Sequence, residues 1–384
     1  MKFLFLSGEF FPNPYLSMDL IFNYYLPRRG LSPVWVMPGE VNGIEKSNWR
    51  GYPLYLIPKL SSRYLLYPLR LGKIIREVLR RVDKVSFVWV RDNPVMAREG
   101  YVFAKKMGIP FFYRISHLKE EESLLYAKMG IFGSRWRNYI RGRAGRSLRN
   151  FFLRRADLAV AMSSKMEEHF QKWGIKKTAV LPEGIDGRVR PEDYPVDKFL
   201  RKYSIEGKKI ISYVGVLSPF RKSYFMLEVL SLLPEEFVLV MAGWGRPEDY
   251  PVRLLKMAQE MGLGERVRFL GLLPRDEVYS LIRASAVGLS PFPLNSVLVA
   301  NSPIKPLEYL LMERPVVSTA VPDTVEVISF CGGGKICPWD AQCFAKAVVS
   351  LAGREEKDAR RKVVKLRDLG RLAERIYEKI LPFI

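Results

Sequence analysis

Short runs of apolar residues recur along this 384-residue chain, and amphipathic stretches separate them. In the first half KFLFLSG, SPVWVMPG, SFVWVRD, PFFYRIS and DLAVAMSS read as strands, with helical periodicity at 94–107 and 164–173 between them. In the second half IISYVGVLSP, FVLVMAGWG, RVRFLGLLP and VGLSPFP alternate with helical stretches near 224–233, 252–262 and 275–284. Runs that are apolar throughout suit strands buried on both faces, so the pattern predicts parallel sheets with helices on each side. The stretch 186–209 is rich in Pro and charge and has no clear period. It divides the chain into two Rossmann-like, doubly wound α/β domains facing a cleft, 1–190 and 191–364. The segment from Glu355 to Ile380 reads as one long charged amphipathic helix.

Ligands of such sheets sit at the carboxyl ends of the strands. The loops to watch in the second half are therefore Gly215–Lys222, Gly243–Arg246, Gly271–Pro274 and Pro291–Lys305. The last of these runs into VANSPIKPLEYLLMERPVV, where Ser302 and Pro303 read as an N-cap and a first helical residue. A helix starting there would turn its N–H groups and positive dipole end toward a phosphate. Glu308 would stand one and a half turns inside.

Composition narrows the classes. A hydrophobic content of 48% fills two ordinary cores, and no apolar run approaches the ~18 residues that cross a bilayer. The start, MKFLFLSGEFF, suits a buried first strand better than a signal peptide, because Glu9 ends its apolar stretch. Cys331, Cys337 and Cys343 show neither metal-ligand spacing nor pairing logic, which argues for a reducing cytosol and no metal site.

Several segments carry a family resemblance in one order. YVGVLSPFRK, VLVMAGWG, RVRFLGLLPRDEVYSLIRAS and SPIKPLEYLLMERPVVST in the second half, and RRGLSPVWVMP, KKMGIPFFYRIS, RRADLAVAMSS and LPEGID in the first, resemble landmarks of glycosyltransferase family 4, retaining enzymes of the GT-B fold. The resemblance spans nearly the whole chain and is stronger in the second half. It implies a domain for the acceptor at 1–190, one for a nucleotide-sugar donor at 191–364, and a last helix, 365–384, crossing back to the first. The donor is a substrate, and no cofactor is implied.

The chain also departs from the family. The first Glu of the paired Glu-x7-Glu motif would fall at Ala300, so Glu308 stands alone. Val216 replaces the Arg after the loop glycine, and FFPNPYLSMD replaces the Gly-rich turn after the first strand. A Ser-Pro-x-Lys sequence before the retained Glu is similar to a subset that includes transferases acting on lipid-linked glucuronyl acceptors.

The resemblance assigns roles to residues. A departing nucleoside diphosphate calls for positive charge and N–H donors, supplied by Arg221, Lys222, Asn301, Ser302, Ile304 and Lys305, and Glu308 would bind the ribose hydroxyls. The base would lie between Gly243-Trp244-Gly245 and Leu272, where Trp244 either stacks on it or caps the turn. His117, after the strand PFFYRIS, takes the position of a contact to the transferred sugar, or is a turn residue. Asp92, after SFVWVR, is a candidate acceptor base. Glu120, Glu121 and Glu122 read as a solvated acidic run, or one of them serves the acceptor hydroxyl. Retention is thought to proceed by front-face attack, which needs no protein nucleophile.

The net charge of +22 is uneven. Residues 1–190 hold 34 Lys plus Arg against 16 Asp plus Glu, and residues 191–384 hold 28 against 24. Such a field attracts an anionic surface. Its sources are 59–84, with Arg63, Tyr64, Leu65 and Leu66, and 135–155, RWRNYIRGRAGRSLRNFFLRR. In the latter Trp136, Ile140, Ala144, Leu148 and Phe151 share one helical face flanked by Arg141, Arg143, Arg146 and Arg149, while Gly142 and Gly145 weaken the helix. Both segments are either ordinary solvated helices packed on the first domain or an acidic-membrane docking surface. Nothing resembles a nucleic-acid-binding module. The leading expectation is a cytoplasmic transferase, peripheral to the inner face of the membrane, that moves a sugar from a UDP- or GDP-linked donor to a glycan or lipid-linked acceptor. The alternatives are a catalytically silent partner subunit, motivated by Ala300, Val216 and the lost Gly-rich turn, and, behind it, a nucleic-acid-binding protein.

Overall fold

The apolar runs assemble into two sheets. In the computed structural model, which describes residues 1–12, 15–60 and 66–384, the first contains β1 (Lys2–Ser7), β2 (Ser32–Gly39), β3 (Glu45–Trp49), β4 (Tyr52–Pro58), β5 (Val88–Arg91), β6 (Phe111–Ile115), β7 (Leu158–Ala161) and β8 (Thr178–Val180). Their order is β3-β4-β2-β1-β5-β6-β7-β8, parallel apart from the β3–β4 pair. The second contains β9 (Lys209–Val214), β10 (Phe237–Ala242), β11 (Val267–Phe269), β12 (Val287–Ser290), β13 (Val316–Thr319) and β14 (Gly334–Cys337). It is wholly parallel, in the order β11-β10-β9-β12-β13-β14.

The second order is that of a dinucleotide-type doubly wound sheet, with its reversal between β9 and β12. The first sheet, once the β3 hairpin strand is set aside, reverses between β1 and β5. Each reversal opens a crevice at the carboxyl ends of two neighbouring strands. Two loop sets are thereby singled out, those after β1 and β5 and those after β9 and β12.

The chain divides into Met1–Glu183 with Leu369–Ile384, and Gly184–Asp368. In the first unit Phe3, Phe5, Phe22, Trp35, Trp89 and Phe112 form an aromatic core that also takes in Leu369, Leu372, Ile376 and Ile380 of the terminal helix. The segment expected to be a single helix is two, Lys357–Arg367 and Leu369–Ile380. Asp368 between them has extended backbone (φ −61°, ψ 132°). It pairs with Ile185 as a parallel bridge, and its carboxylate accepts the N–H of Gly187 at 2.9 Å. A partner far away in sequence breaks the helix where no Gly or Pro does.

Cys337 and Cys343 are joined in a disulfide, and Cys331 is free and buried. The expectation of three unpaired thiols is corrected, because the helix Ala341–Leu351 starts close enough to the end of β14 to bring the two sulfurs together. The compartment argument built on unpaired cysteines falls with it. Among the described residues no helix is long and apolar enough to cross a membrane.

Candidate functional site

In the second unit the loops after β9, β10 and β11 are zipped together by backbone. Gly215 N–H donates to Ala242 at 2.8 Å, Gly243 N–H to Gly271 at 2.7 Å, and Leu217 N–H to Trp244 at 2.9 Å. Gly243 has φ +139°, and a Cβ there would stand 2.0 Å from the carbonyl oxygen of Gly215. Only glycine permits this approach.

The helix Ile304–Leu311 brings Lys305 of its first turn beside Gly215 of that zipper. The residue in the N-cap position is Pro303, not Ser302. The Ser302 hydroxyl donates instead to Asp323 at 2.9 Å, a partner in the first turn of the helix Pro322–Cys331 that follows β13. The expectation of Ser302 as the cap and Pro303 as a helical residue is corrected, because a buried carboxylate outcompetes the helix for the hydroxyl. Pro303 and Pro306 also lack N–H groups, so the first turn offers donors at Ile304 and Lys305 but not throughout.

The helix is anchored by its far face. The Tyr309 hydroxyl donates to the Ser212 carbonyl at 2.8 Å, and its ring lies over Gly288, where a Cβ would come within 2.3 Å of it. The anchor leaves Lys305 facing Gly215, to which a Cβ would bring its ammonium within 2.8 Å. Burial pushes the Lys305 pKa down to about 8, Arg221 adds to the depression, and Glu308 opposes it. Glu308 also raises Tyr279, whose burial is the larger cause. Arg221, Lys305 and Glu308 therefore share one electrostatic environment at the β9/β12 reversal.

Arg221 stands in a turn closed by serines. Its N–H donates to the Ser218 hydroxyl at 3.1 Å, and Ser218 N–H to the Ser223 hydroxyl at 3.0 Å. Its guanidinium lies 5.1 Å from the centre of the Phe292 ring. Lys222 is exposed at φ +49°, with its ammonium 5.8 Å from the Trp339 ring. Trp244 and Leu272 are exposed at the ends of their loops, while Asn301 and Ile304 are half-buried.

In the first unit the β1/β5 reversal gathers charge. Asp92 has φ +61°, is buried, and accepts both the N–H of Ser116 at 2.6 Å and its hydroxyl. Burial would raise its pKa, but Lys119, Arg91 and Ser116 together hold it low. Asp92 thus holds Ser116 through both carboxylate oxygens at the end of β5. His117 is half-buried with Nε2 3.4 Å from Glu122. Lys119 pairs with Glu9 at 3.1 Å, and Arg91 and Arg114 are buried on neighbouring strands. Sequence reading passed over Glu9, Arg91, Arg114 and Lys119. The strand-end position of the first three was the available signal.

The acidic run is not solvated. Glu120 and Glu121 hold Arg149 at 2.5 to 2.8 Å, and Arg149 is wholly buried with its guanidinium 4.6 Å from the Trp173 ring. Gly142 and Gly145 let the helix Arg135–Leu153 approach Lys119–Met129, since a Cβ at either would come within 3.0 Å of Leu124 or Glu120. Arg149 thus leaves the basic face on which the sequence placed it. The opposite face stays open, with Trp136 68% exposed and Tyr139, Ile140 and Phe151 close to half exposed among Arg137, Arg141, Arg143 and Arg155. In 59–84, Leu66 and Leu69 are exposed, whereas Arg63, Tyr64 and Leu65 lie outside the described residues. Among the described residues no group of three or more His, Cys, Asp or Glu is arranged to hold a metal ion.

Two family models match the chain, "Glycosyltransferase Family 4" over 24–188 and "Glycosyl transferases group 1" over 208–354. A D-inositol 3-phosphate glycosyltransferase of Mycolicibacterium gilvum is 31% identical over 84 residues, which cover 22% of this chain and 19% of that relative's length. Among solved structures, HepE of Anabaena in complex with UDP has a TM-score of 0.72 at 17% identity, covering 100% of both chains. Sucrose-phosphate synthase of Thermosynechococcus elongatus has a TM-score of 0.74 at 14% identity, again over 100% of both. The two sheets are those of GT-B structures, and each half of the chain matches the model of a glycosyltransferase domain.

Proposed function

We propose that the protein transfers a sugar, with retention of configuration, from a UDP- or GDP-linked donor to a glycan or lipid-linked acceptor at an acidic membrane surface. The observation that carries the reading is the convergence of Lys305, Arg221 and Glu308 on the β9/β12 reversal, beside backbone glycines that admit close approach. HepE, of the same fold, has been solved with UDP, with UDP and glucose, and with UDP-glucose.

In this reading Arg221 and Lys305 neutralise the departing diphosphate, with Lys222 and the N–H groups of Ile304 and Lys305 alongside. Glu308 accepts the ribose hydroxyls, and Trp244, Gly243 and Leu272 flank the base. Asn301 and Ser302 shape the turn. His117 contacts the transferred sugar. The departing phosphate takes the acceptor proton, so no protein nucleophile is needed, and Asp92 at the end of β5 is the candidate acceptor base. The exposed aromatic and basic face of Arg135–Leu153 brings the enzyme to a cytoplasmic membrane surface.

A panel of UDP- and GDP-sugars tests this. Turnover with at least one donor, abolished in Glu308→Ala, is expected; no binding of any of them by the folded protein overturns it. A second reading, a silent partner subunit, draws on Ala300, which is wholly buried where the family's first Glu would stand. Turnover lost in Glu308→Ala eliminates that reading.

A further inference from the structure

One carboxylate ties the loop after β12 to the point where the chain leaves the second unit. Asp323, in the first turn of the helix Pro322–Cys331, is 5% exposed and gives its two oxygens to different partners. Oδ2 accepts the hydroxyl of Ser302 at 2.9 Å, and Oδ1 accepts Nη2 of Arg367 at 2.9 Å. Ser302 and Arg367 are each 3% exposed.

Arg367 is held from its backbone as well. Its carbonyl accepts the N–H of Ile185 at 3.0 Å, one residue before the bridge between Ile185 and Asp368. A buried ion pair of this kind contributes little net stability compared with apolar packing, so stability is a weak reason for it. It does supply direction. A carboxylate whose second oxygen is occupied by a fixed arginine presents the first at one position only.

What that position controls lies two residues on. Pro303, the one residue between Ser302 and the helix that carries Lys305 and Glu308, has its φ fixed by its ring. Moving Ser302 therefore moves the first turn, and with it Lys305, whose side chain lies beside Gly215. We propose that Asp323, oriented by Arg367, is a positioning residue for the nucleoside diphosphate part of the donor, acting through Ser302 on Lys305 and Glu308. This rests on the donor reading of the segment Ser302–Glu308 given above.

The test is a double-mutant cycle on UDP affinity by calorimetry, run beside thermal unfolding. Ser302→Ala keeps the Asp323–Arg367 pair and removes only the last link. It is expected to weaken UDP binding about five- to tenfold, the worth of one hydrogen bond, with little change in melting temperature. Asp323→Asn is expected to weaken binding at least as much and to lower the melting temperature too. The double variant should bind no worse than Asp323→Asn alone, because both changes break one chain. Wild-type affinity in Ser302→Ala, or losses that multiply in the double variant, overturns the relay. A wild-type protein that binds neither UDP nor GDP overturns the donor reading and the relay with it.

Discussion

Lys305 lies against Gly215 so closely that a Cβ on the glycine would meet the lysine Cε at 2.5 Å. Gly215 also has φ +144°, a conformation costing a side-chain-bearing residue about 1–3 kcal/mol. Gly215→Ala should therefore lose that much stability and push Lys305 aside, since the clashing atoms are the end of a flexible side chain. The variant is expected to fold and to bind UDP at least fivefold more weakly. Gly243→Ala differs, because its clash is with backbone, the Gly215 carbonyl at 2.0 Å. It should be the more destabilised of the two in urea unfolding.

The Lys305 pKa of about 8 gives donor binding a pH dependence. A bound diphosphate favours the protonated lysine, so binding draws in a proton once the free lysine begins to lose its own. UDP affinity should hold between pH 6.5 and 7.5 and fall as pH rises through about 8; the terminal phosphate, with its last pKa near ~6, is already ionised there. Lys305→Met should bind weakly with a flat profile over that range. Stability has the opposite sign. The unfolded lysine keeps its proton up to its ordinary value, so between the two pKa values the unfolded state binds more protons and stability rises with pH.

What the sequence made legible follows from local physics. The strands could be read because burial on both faces makes them uniformly apolar, as in FVLVMA of β10, all six residues of which are buried. The helix Pro94–Met107 could be read because both ends are signalled locally. The Asn93 side chain accepts from Val95 N–H at 2.9 Å, and Gly108 closes the helix at φ +65°. What could not be read depends on partners distant in sequence. The exposed hairpin strand Glu45–Trp49 has no apolar period. Ser302 was placed on the right loop but assigned the wrong partner, because Asp323 lies 21 residues further on. Asp323 stands in the first turn of the helix after β13, and no local pattern in the sequence marks it as the partner of Ser302.

Arg149 shows how a basic stretch misleads. Arg149→Met removes the counter-charge of the buried Glu120 and leaves Glu121 paired with Arg146 alone, which should cost about 3–5 kcal/mol. Burial already raises the Glu120 pKa. Without Arg149 both carboxyls should take up protons more readily than in the unfolded chain, so the variant's deficit in chemical denaturation should be smaller at pH 5 than at pH 8.

The Cys337–Cys343 disulfide closes a short ring, with a sequence separation of 6. Chain-entropy arguments give such a ring about 2 kcal/mol. Reduction should lower the melting temperature of the second unit by roughly 4–8 °C. Alkylation before and after reduction should differ by two thiols, and Cys331 should react slowly in both cases. That cysteine is 2% exposed, and burial pushes its pKa up to about 11.

The open face of Arg135–Leu153 gives the last prediction. Trp136 is 68% exposed with Tyr139 stacked 6.2 Å away, and the Arg155 guanidinium lies 3.5 Å from the centre of the Phe151 ring. Aromatic rings among arginines suit an interface where the rings enter the acyl boundary and the cations meet anionic headgroups. Each arginine near such a surface contributes ~1 kcal/mol, and burial of a large aromatic side chain ~2 kcal/mol. The protein should sediment with phosphatidylserine-containing vesicles at about 0.1 M salt and not with neutral ones. Trp136→Ala should lower the partition coefficient roughly tenfold or more at any ionic strength, because its contribution is apolar. Arg143→Gln should lower it less, and its effect should vanish at high salt, where the Debye length shrinks to ~3 Å. Neither residue touches the donor loops, so UDP affinity without vesicles should stay unchanged. Equal sedimentation with neutral and acidic vesicles would remove the electrostatic part of the proposal.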